Sequence, residues 1–216
     1  MKVGTDAVLL GAWCDLADAK SILDIGTGSG IIALMMAQRS RRDALIDAVE
    51  ILQNDAEQAT QNVKDSPWPT KVSVTCGRIQ DYTSDNGYDL IVCNPPFFSK
   101  SLLPPDSSRT TARHDMSLSQ PDFLLSVLKL LRPSGTLSLI LPPEESEVFR
   151  HEAAKMELHL KQLTRFHSRS GKSQERSLMS FTKVHGPLTE DTLILYEEGQ
   201  KKTAAYQQLT SSFYLD

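Results

Sequence analysis

Leu23-Asp24-Ile25-Gly26-Thr27-Gly28-Ser29-Gly30-Ile31-Ile32 runs from an apolar strand through three alternate glycines into an aliphatic helix. A turn of this kind needs glycine for positive φ and for close approach of its backbone to a ligand. On either side, short aliphatic runs alternate with helical patterns, which predicts an α/β fold with a mostly parallel sheet flanked by helices. Strands are expected at 21–25, 44–49, 71–75, 88–93, 136–141, 158–166 and 178–184, with 192–196 as one further strand. Helices are expected at 5–16, 31–39, 52–63, 121–131, 144–156 and 203–212, and a turn at 132–135. Leu90-Ile91-Val92-Cys93 is unbroken in its apolarity, as a central strand buried on both faces requires.

The chain has 216 residues, enough to bury a core without disulfides or a structural metal, and a single domain over 1–216 is expected. A composition of 40% hydrophobic and 23% charged residues excludes a disordered or collagen-like chain. Cys14, Cys76 and Cys93 form no C-x-x-C pair and read as reduced core thiols of a cytoplasmic protein. No apolar stretch approaches the ~20 residues of a membrane span. Asp6 and Asp15 bracket only eight uncharged residues, and no cleavage site of a signal peptide follows.

The net charge of −4 excludes a chain that binds polyanions over its whole surface. Its charges are nonetheless segregated. Between Asp43 and Asp89 nine acids face three bases, whereas between Lys161 and Lys183 six bases face Glu175 alone. Such asymmetry fits either a nucleic-acid face or a solvated basic edge.

The glycine turn is not a dinucleotide G-x-G-x-x-G, because Gly30 comes one residue early and Ile31 holds the third position. No Gly-Lys-Ser/Thr follows, which excludes a P-loop. Asp24 suits a ligand bringing an amine or ammonium group, and Glu50 closes the second strand, where an acid accepts hydrogen bonds from ribose hydroxyls. Asp24-x-Gly26-x-Gly28-x-Gly30 with Glu50 resembles class I S-adenosylmethionine-dependent methyltransferases. That resemblance implies a Rossmann-like domain with a mostly parallel seven-stranded sheet, helices on both faces, and S-adenosyl-L-methionine as cofactor. It also implies an acid beyond the third strand to meet the adenine amino group. Arg78 holds that place in Gly77-Arg78-Ile79-Gln80-Asp81, so either Asp81 substitutes or Ile79 packs on the adenine.

The fourth strand runs straight into Asn94-Pro95-Pro96-Phe97. Neither proline can donate to a ladder, so the strand ends abruptly and its direction is fixed. The amide oxygen of Asn94 and the carbonyl of Pro95 are then convergent acceptors, which suits methylation of an exocyclic amine. Phe97 is placed to stack on a flat, extruded substrate, and Phe98 is either packing or a substrate contact. The Pro-, Ser- and Thr-rich stretch 95–119 is too long for a plain connection and reads as a functional loop.

Asn94-Pro95-Pro96-Phe97 resembles the Asn/Asp-Pro-Pro-Phe/Tyr motif of amino methyltransferases acting on adenine, guanine or a protein glutamine. Lys2-Val3-Gly4-Thr5-Asp6, Leu9-Leu10-Gly11-Ala12-Trp13, Ile46-Asp47-Ala48-Val49-Glu50, Ser66-Pro67-Trp68 and Phe213-Tyr214-Leu215 are similar to bacterial tRNA1(Val) adenine-37 N6-methyltransferases. The family carries a further short segment before Lys2, which leaves the native start either at Met1 or upstream of it. The resemblance implies an enzyme that methylates N6 of adenine 37 in the anticodon loop.

An anticodon stem needs phosphate contacts from basic side chains. Lys100, Arg109, Arg113 and His114 in the long loop, and Arg165, Arg169, Lys172 and Arg176 near the C-terminus, are the candidates. Arg113-His114, Arg169 and Lys172 are the expected substrate contacts. No histidine or cysteine pair has metal-site spacing, so no metal is expected, nor a membrane or an obligate protein partner. The competing functions are methylation of a release-factor glutamine or of guanine N2 in rRNA. From another class, a non-catalytic RNA-binding module with a vestigial cofactor pocket competes.

Overall fold

The computed structural model describes residues 4–95 and 118–214. The elements are α1 (Thr5–Trp13), β1 (Ser21–Ile25), α2 (Ile31–Arg39), β2 (Leu45–Glu50), α3 (Gln53–Lys64), β3 (Val72–Cys76) and β4 (Tyr88–Cys93). They continue with α4 (Gln120–Leu130), β5 (Leu131–Leu141), α5 (Pro143–Lys155), β6 (His159–Arg169), β7 (Arg176–Thr182), β8 (Thr189–Tyr196) and α6 (Ala204–Thr210). The starts of α4 and α6 follow from their caps. Ser119 accepts from Asp122 N with Pro121 in the first turn, and Thr203 accepts from Tyr206 N.

All the strands lie in one sheet of order β3-β2-β1-β4-β5-β7-β6-β8. β7 is antiparallel to both its neighbours, and every other pairing is parallel. The sheet therefore has eight strands where seven were expected, because the further strand expected at 192–196 starts at Thr189 and pairs with β6. Two cores cover the two faces. Leu9, Leu10, Met36, Val63 and Tyr206 bring α1, α2, α3 and α6 onto one, and Phe123, Leu124 and Phe149 bring α4 and α5 onto the other. Among the described residues no helix is long and apolar enough to cross a membrane.

Residues 132–135, expected as a turn before a strand, lie inside β5 instead. Tyr88 faces Leu131 and Leu90 faces Thr136, so the intervening residues bulge from the ladder. A Cβ at Gly135 would stand 2.7 Å from Tyr88 O and from Leu131 Cδ1, so only glycine fits there. The bulge also has a use. Arg132 donates to Asp89, whose other oxygen accepts from Lys20 N at 2.9 Å and Ser21 N at 3.1 Å. One carboxylate thus ties the starts of β1, β4 and β5 together.

α1 stops three residues short of its expected end, where Cys14 N still bonds Leu10 O. The cysteines divide: Cys14 and Cys93 are buried, but Cys76 is exposed at the end of edge strand β3 and is not a core thiol.

Candidate active site

The chain leaves β1 on one side toward β2 and β3, then returns to the other side of β1 as β4. Ligands of open α/β sheets bind at the carboxyl ends of the strands where the order reverses in this way. Ile25 pairs with Cys93, so Gly26 and Asn94 emerge side by side at that point.

The turn after β1 has three left-handed glycines, with φ of 70° at Gly26, 57° at Gly28 and 81° at Gly30. Gly26 N and Thr27 N both donate to Val49 O, and Gly28 N donates to Glu50 Oε2 at 2.9 Å. Asn62 of α3 donates to Ser29 O at 2.8 Å. A Cβ at Gly30 would lie 3.3 Å from that of Ala59, so this glycine lets α2 start against α3. Among the described residues a Cβ at Gly26 would meet nothing within 4 Å, so they leave open space beside the turn's first glycine.

Asp24 is fully buried. Its Oδ2 accepts from Thr27 Oγ1 at 2.6 Å and Ala33 N at 3.1 Å, while its Oδ1 has no partner among the described residues. Burial pushes its pKa from the ordinary 3.8 up to about 7; the bonds from Thr27 and Ala33 oppose the rise and the charge of Glu50 adds to it. Glu50, also buried, closes β2, and its Oε1 accepts from Leu52 N at 3.0 Å. Cys93 lies close enough for both acids to raise its thiol pKa beyond what burial does, which makes it a poor nucleophile.

Asn94 is half-buried at the end of β4, and Pro95 behind it is buried. Ile79 is buried against the α4 and α5 core. Asp81 is not: its carboxylate is exposed and stands 4.0 Å from the Arg78 guanidinium. Phe97, Phe98, Lys100, Arg109, Arg113 and His114 lie outside the described residues.

The basic stretch after Lys161 is largely matched. Arg165 pairs with Glu190 of β8 at 2.8 Å and Arg176 with Asp6 of α1 at 2.7 Å. Lys183 donates to Leu128 O and Leu131 O at the end of α4. Arg169 donates to Gly199 O at 2.6 Å and lies over the Tyr196 ring, 5.6 Å from its centroid. Lys172 is exposed in the β6–β7 turn, which leaves the sheet at the same edge as Asn94. β4 and β6 are three strand spacings apart, about 14 Å.

Thr27, Ala33 and Asn62 escape sequence reasoning. Thr27 could have been found, since a hydroxyl three residues after an acid in a tight turn is a natural donor to it. Asn62 gives no such signal, because its partner is 33 residues away in the chain. Among the described residues no group of three or more His, Cys, Asp or Glu could hold a metal ion.

A glycine turn at the switch point, an acid at the end of β2 and an Asn-Pro stop on the neighbouring strand define a Rossmann-like methyltransferase. Residues 4–141 match the methyltransferase small domain. The whole chain is 42% identical to the tRNA1(Val) (adenine(37)-N6)-methyltransferase of Aeromonas salmonicida, covering 91% of it. It is 40% identical, again over its whole length and 91% of the relative, to the enzyme of the same description from Bacteroides fragilis. A solved structure from Agrobacterium tumefaciens, described as a predicted O-methyltransferase, superposes with TM-score 0.75 at 20% identity, covering 96% of each chain. The chain belongs to the methyltransferase small domain family and, within it, groups with the tRNA1(Val) (adenine(37)-N6)-methyltransferases.

Proposed function

We propose that this chain, as a single cytoplasmic domain over residues 1–216, methylates N6 of adenine 37 in the anticodon loop of tRNA1(Val), with S-adenosyl-L-methionine as donor. The observation that carries the reading is the adjacency of the glycine turn after β1 and Asn94-Pro95 after β4. The cofactor's sulfonium supplies an electrophilic methyl group.

The residues fit such a cofactor. Its cationic amino-acid end matches the unpartnered Oδ1 of Asp24, and the space beside Gly26 admits a ligand against bare backbone. Gly28 and Gly30 keep the turn narrow. Glu50 already spends one lone pair on each oxygen, and the remaining pairs can accept from ribose hydroxyls. Beyond β3, Ile79 would face the adenine with its apolar side chain, and Asp81 would have to leave Arg78 to reach the ring.

An exocyclic amine conjugated with its ring is a weak nucleophile. The Asn94 amide oxygen and Pro95 carbonyl would accept its two hydrogens, draw the nitrogen toward tetrahedral geometry and stabilise the charge developing there. Phe97 would stack on the base, Phe98 would border it, and Arg113 and His114 would hold flanking phosphates. No strong base is required, because the proton leaves after transfer.

The deciding test is incubation with methyl-labelled S-adenosylmethionine and either a tRNA1(Val) transcript or a release factor. Label recovered as N6-methyladenosine at position 37 is expected, and label in the release factor alone would overturn the reading. Lys172→Glu, in the exposed turn on the catalytic edge, is expected to weaken tRNA binding. It should also lower the slope of log K against log salt by about 0.8, one phosphate contact. An unchanged slope would return the turn to the solvated edge.

A further inference from the structure

At the amino end of β6, away from the glycine turn, lies a hollow of about 500 Å³. Through β7 and β5, His159 stands level with Leu90 of β4, four residues before Asn94 and three strands across, which puts about 20 Å between this hollow and Asn94. Three of the chain's five histidines meet there from separate elements: His151 of α5, His159 of β6 and His185 after β7. Arg150 joins them, and the buried side chains of Leu158 and Phe181 form an apolar floor. The rings of His159 and His185 are 5.2 Å apart and set edge to face.

Among the described residues Glu147 is the one acid in the lining, and it holds the Arg150 guanidinium at 2.7 Å. The carboxylate is mostly exposed while the guanidinium is partly covered, so the arginine is kept in place over the hollow. A volume of this size lies in the ordinary range for small ligands, roughly 300–1,000 Å³. A guanidinium fork beside imidazole N–H groups matches the oxygens of a phosphate monoester. The imidazole faces and apolar floor suit a flat ring.

We propose that this hollow is a second ligand site, separate from the catalytic edge, that takes a mononucleotide. The phosphate is held by Arg150 and His151, and the base lies against His159 and His185. More than about 20 Å from the glycine turn, it cannot share a mononucleotide with that site. It therefore stands whether or not the tRNA reading does.

The probe is uridine monophosphate, added to the full chain with S-adenosylhomocysteine present to occupy the glycine-turn site. Imidazole NMR signals are expected to shift saturably for His151, His159 and His185 and not for His167, with half-saturation at about 1 mM or below. Inorganic phosphate should bind several-fold more weakly, having no ring for the floor. Arg150→Gln is expected to weaken binding about tenfold or more. The proposal fails if no probe gives saturable shifts, if Arg150→Gln binds as well as the parent, or if an anticodon stem-loop RNA moves these signals and the mononucleotide does not.

Discussion

Replacing Asn94 by alanine is expected to lower kcat for methyl transfer by about 10²-fold or more, with KM for tRNA changed far less. The reason is the timing of the interaction. A neutral exocyclic amine has little need of a strong acceptor, but the nitrogen becomes cationic as the new bond forms, and an amide oxygen held beside it then gains in strength. Asn94 sits where the β4 ladder stops, next to Ile25-Gly26 across the pairing of β1 and β4, so its backbone is fixed by strands on both sides. Its side chain is only half-buried, and truncation should leave the melting temperature within a few degrees of the parent. Asn94→Asp keeps an acceptor oxygen and should retain more activity than Asn94→Ala. Single-turnover rates against bound tRNA separate the chemical step from binding. Equal rates for the parent and Asn94→Ala would remove this residue from the reaction.

Asp24→Asn is expected to do two opposite things: stabilise the protein and weaken its hold on S-adenosylmethionine. Burial raises the Asp24 pKa from 3.8 to about 7, so the folded chain binds its proton more tightly than the unfolded chain does. Where the native state holds more protons, stability falls as pH rises. The penalty is absent below pH ~4, grows between pH ~4 and ~7 and is constant above. At pH 8 it amounts to about 4 kcal/mol at most, from 1.36 kcal/mol per pH unit. Asparagine keeps an oxygen for Thr27 and Ala33 but carries no charge.

Urea denaturation should therefore show a variant more stable at pH 8 and equal to the parent at pH 4. The cofactor's cationic end favours the charged carboxylate. Parent affinity is accordingly expected to drop by up to about fivefold between pH 7 and pH 6, and the variant should bind weakly with little pH dependence. A variant no more stable than the parent at pH 8 would show that Asp24 costs the fold nothing.

The sequence shows its central strands with their ends in place. β1, α2 and β4 run over Ser21–Ile25, Ile31–Arg39 and Tyr88–Cys93 as expected, because β1 stops at Gly26, α2 starts after Gly30 and β4 stops at Asn94-Pro95. The periphery is less legible. Thr189, Glu190 and Asp191 look like a loop, yet they pair in register with Gln162, Leu163 and Thr164, since an edge strand need not be apolar. Likewise, 132–135 has the composition of a turn and is a bulge, and that difference depends on Tyr88 and Gly135 meeting across the sheet.

The site divides in the same way. Asp24, the glycines, Glu50 and Asn94 are legible because one strand-turn unit carries each of them. The pairings within the basic stretch are not legible, because Glu190 and Asp6, which answer Arg165 and Arg176, are 25 and 170 residues away. A local charge count cannot register partners that only folding brings together.

The two ends of the sheet bear on how the protein behaves at high concentration. β3 is five residues long, and beyond Val72 its side chains are at least partly exposed. β8 carries Glu190 and Asp191 in its exposed first half. A neighbouring molecule seeking to extend the sheet would meet a short polar rim on one side and negative charge on the other, and both discourage intermolecular strand addition. The added eighth strand thus moves the boundary of the sheet outward from Leu163 and Phe166 of β6 to a strand whose composition resists aggregation.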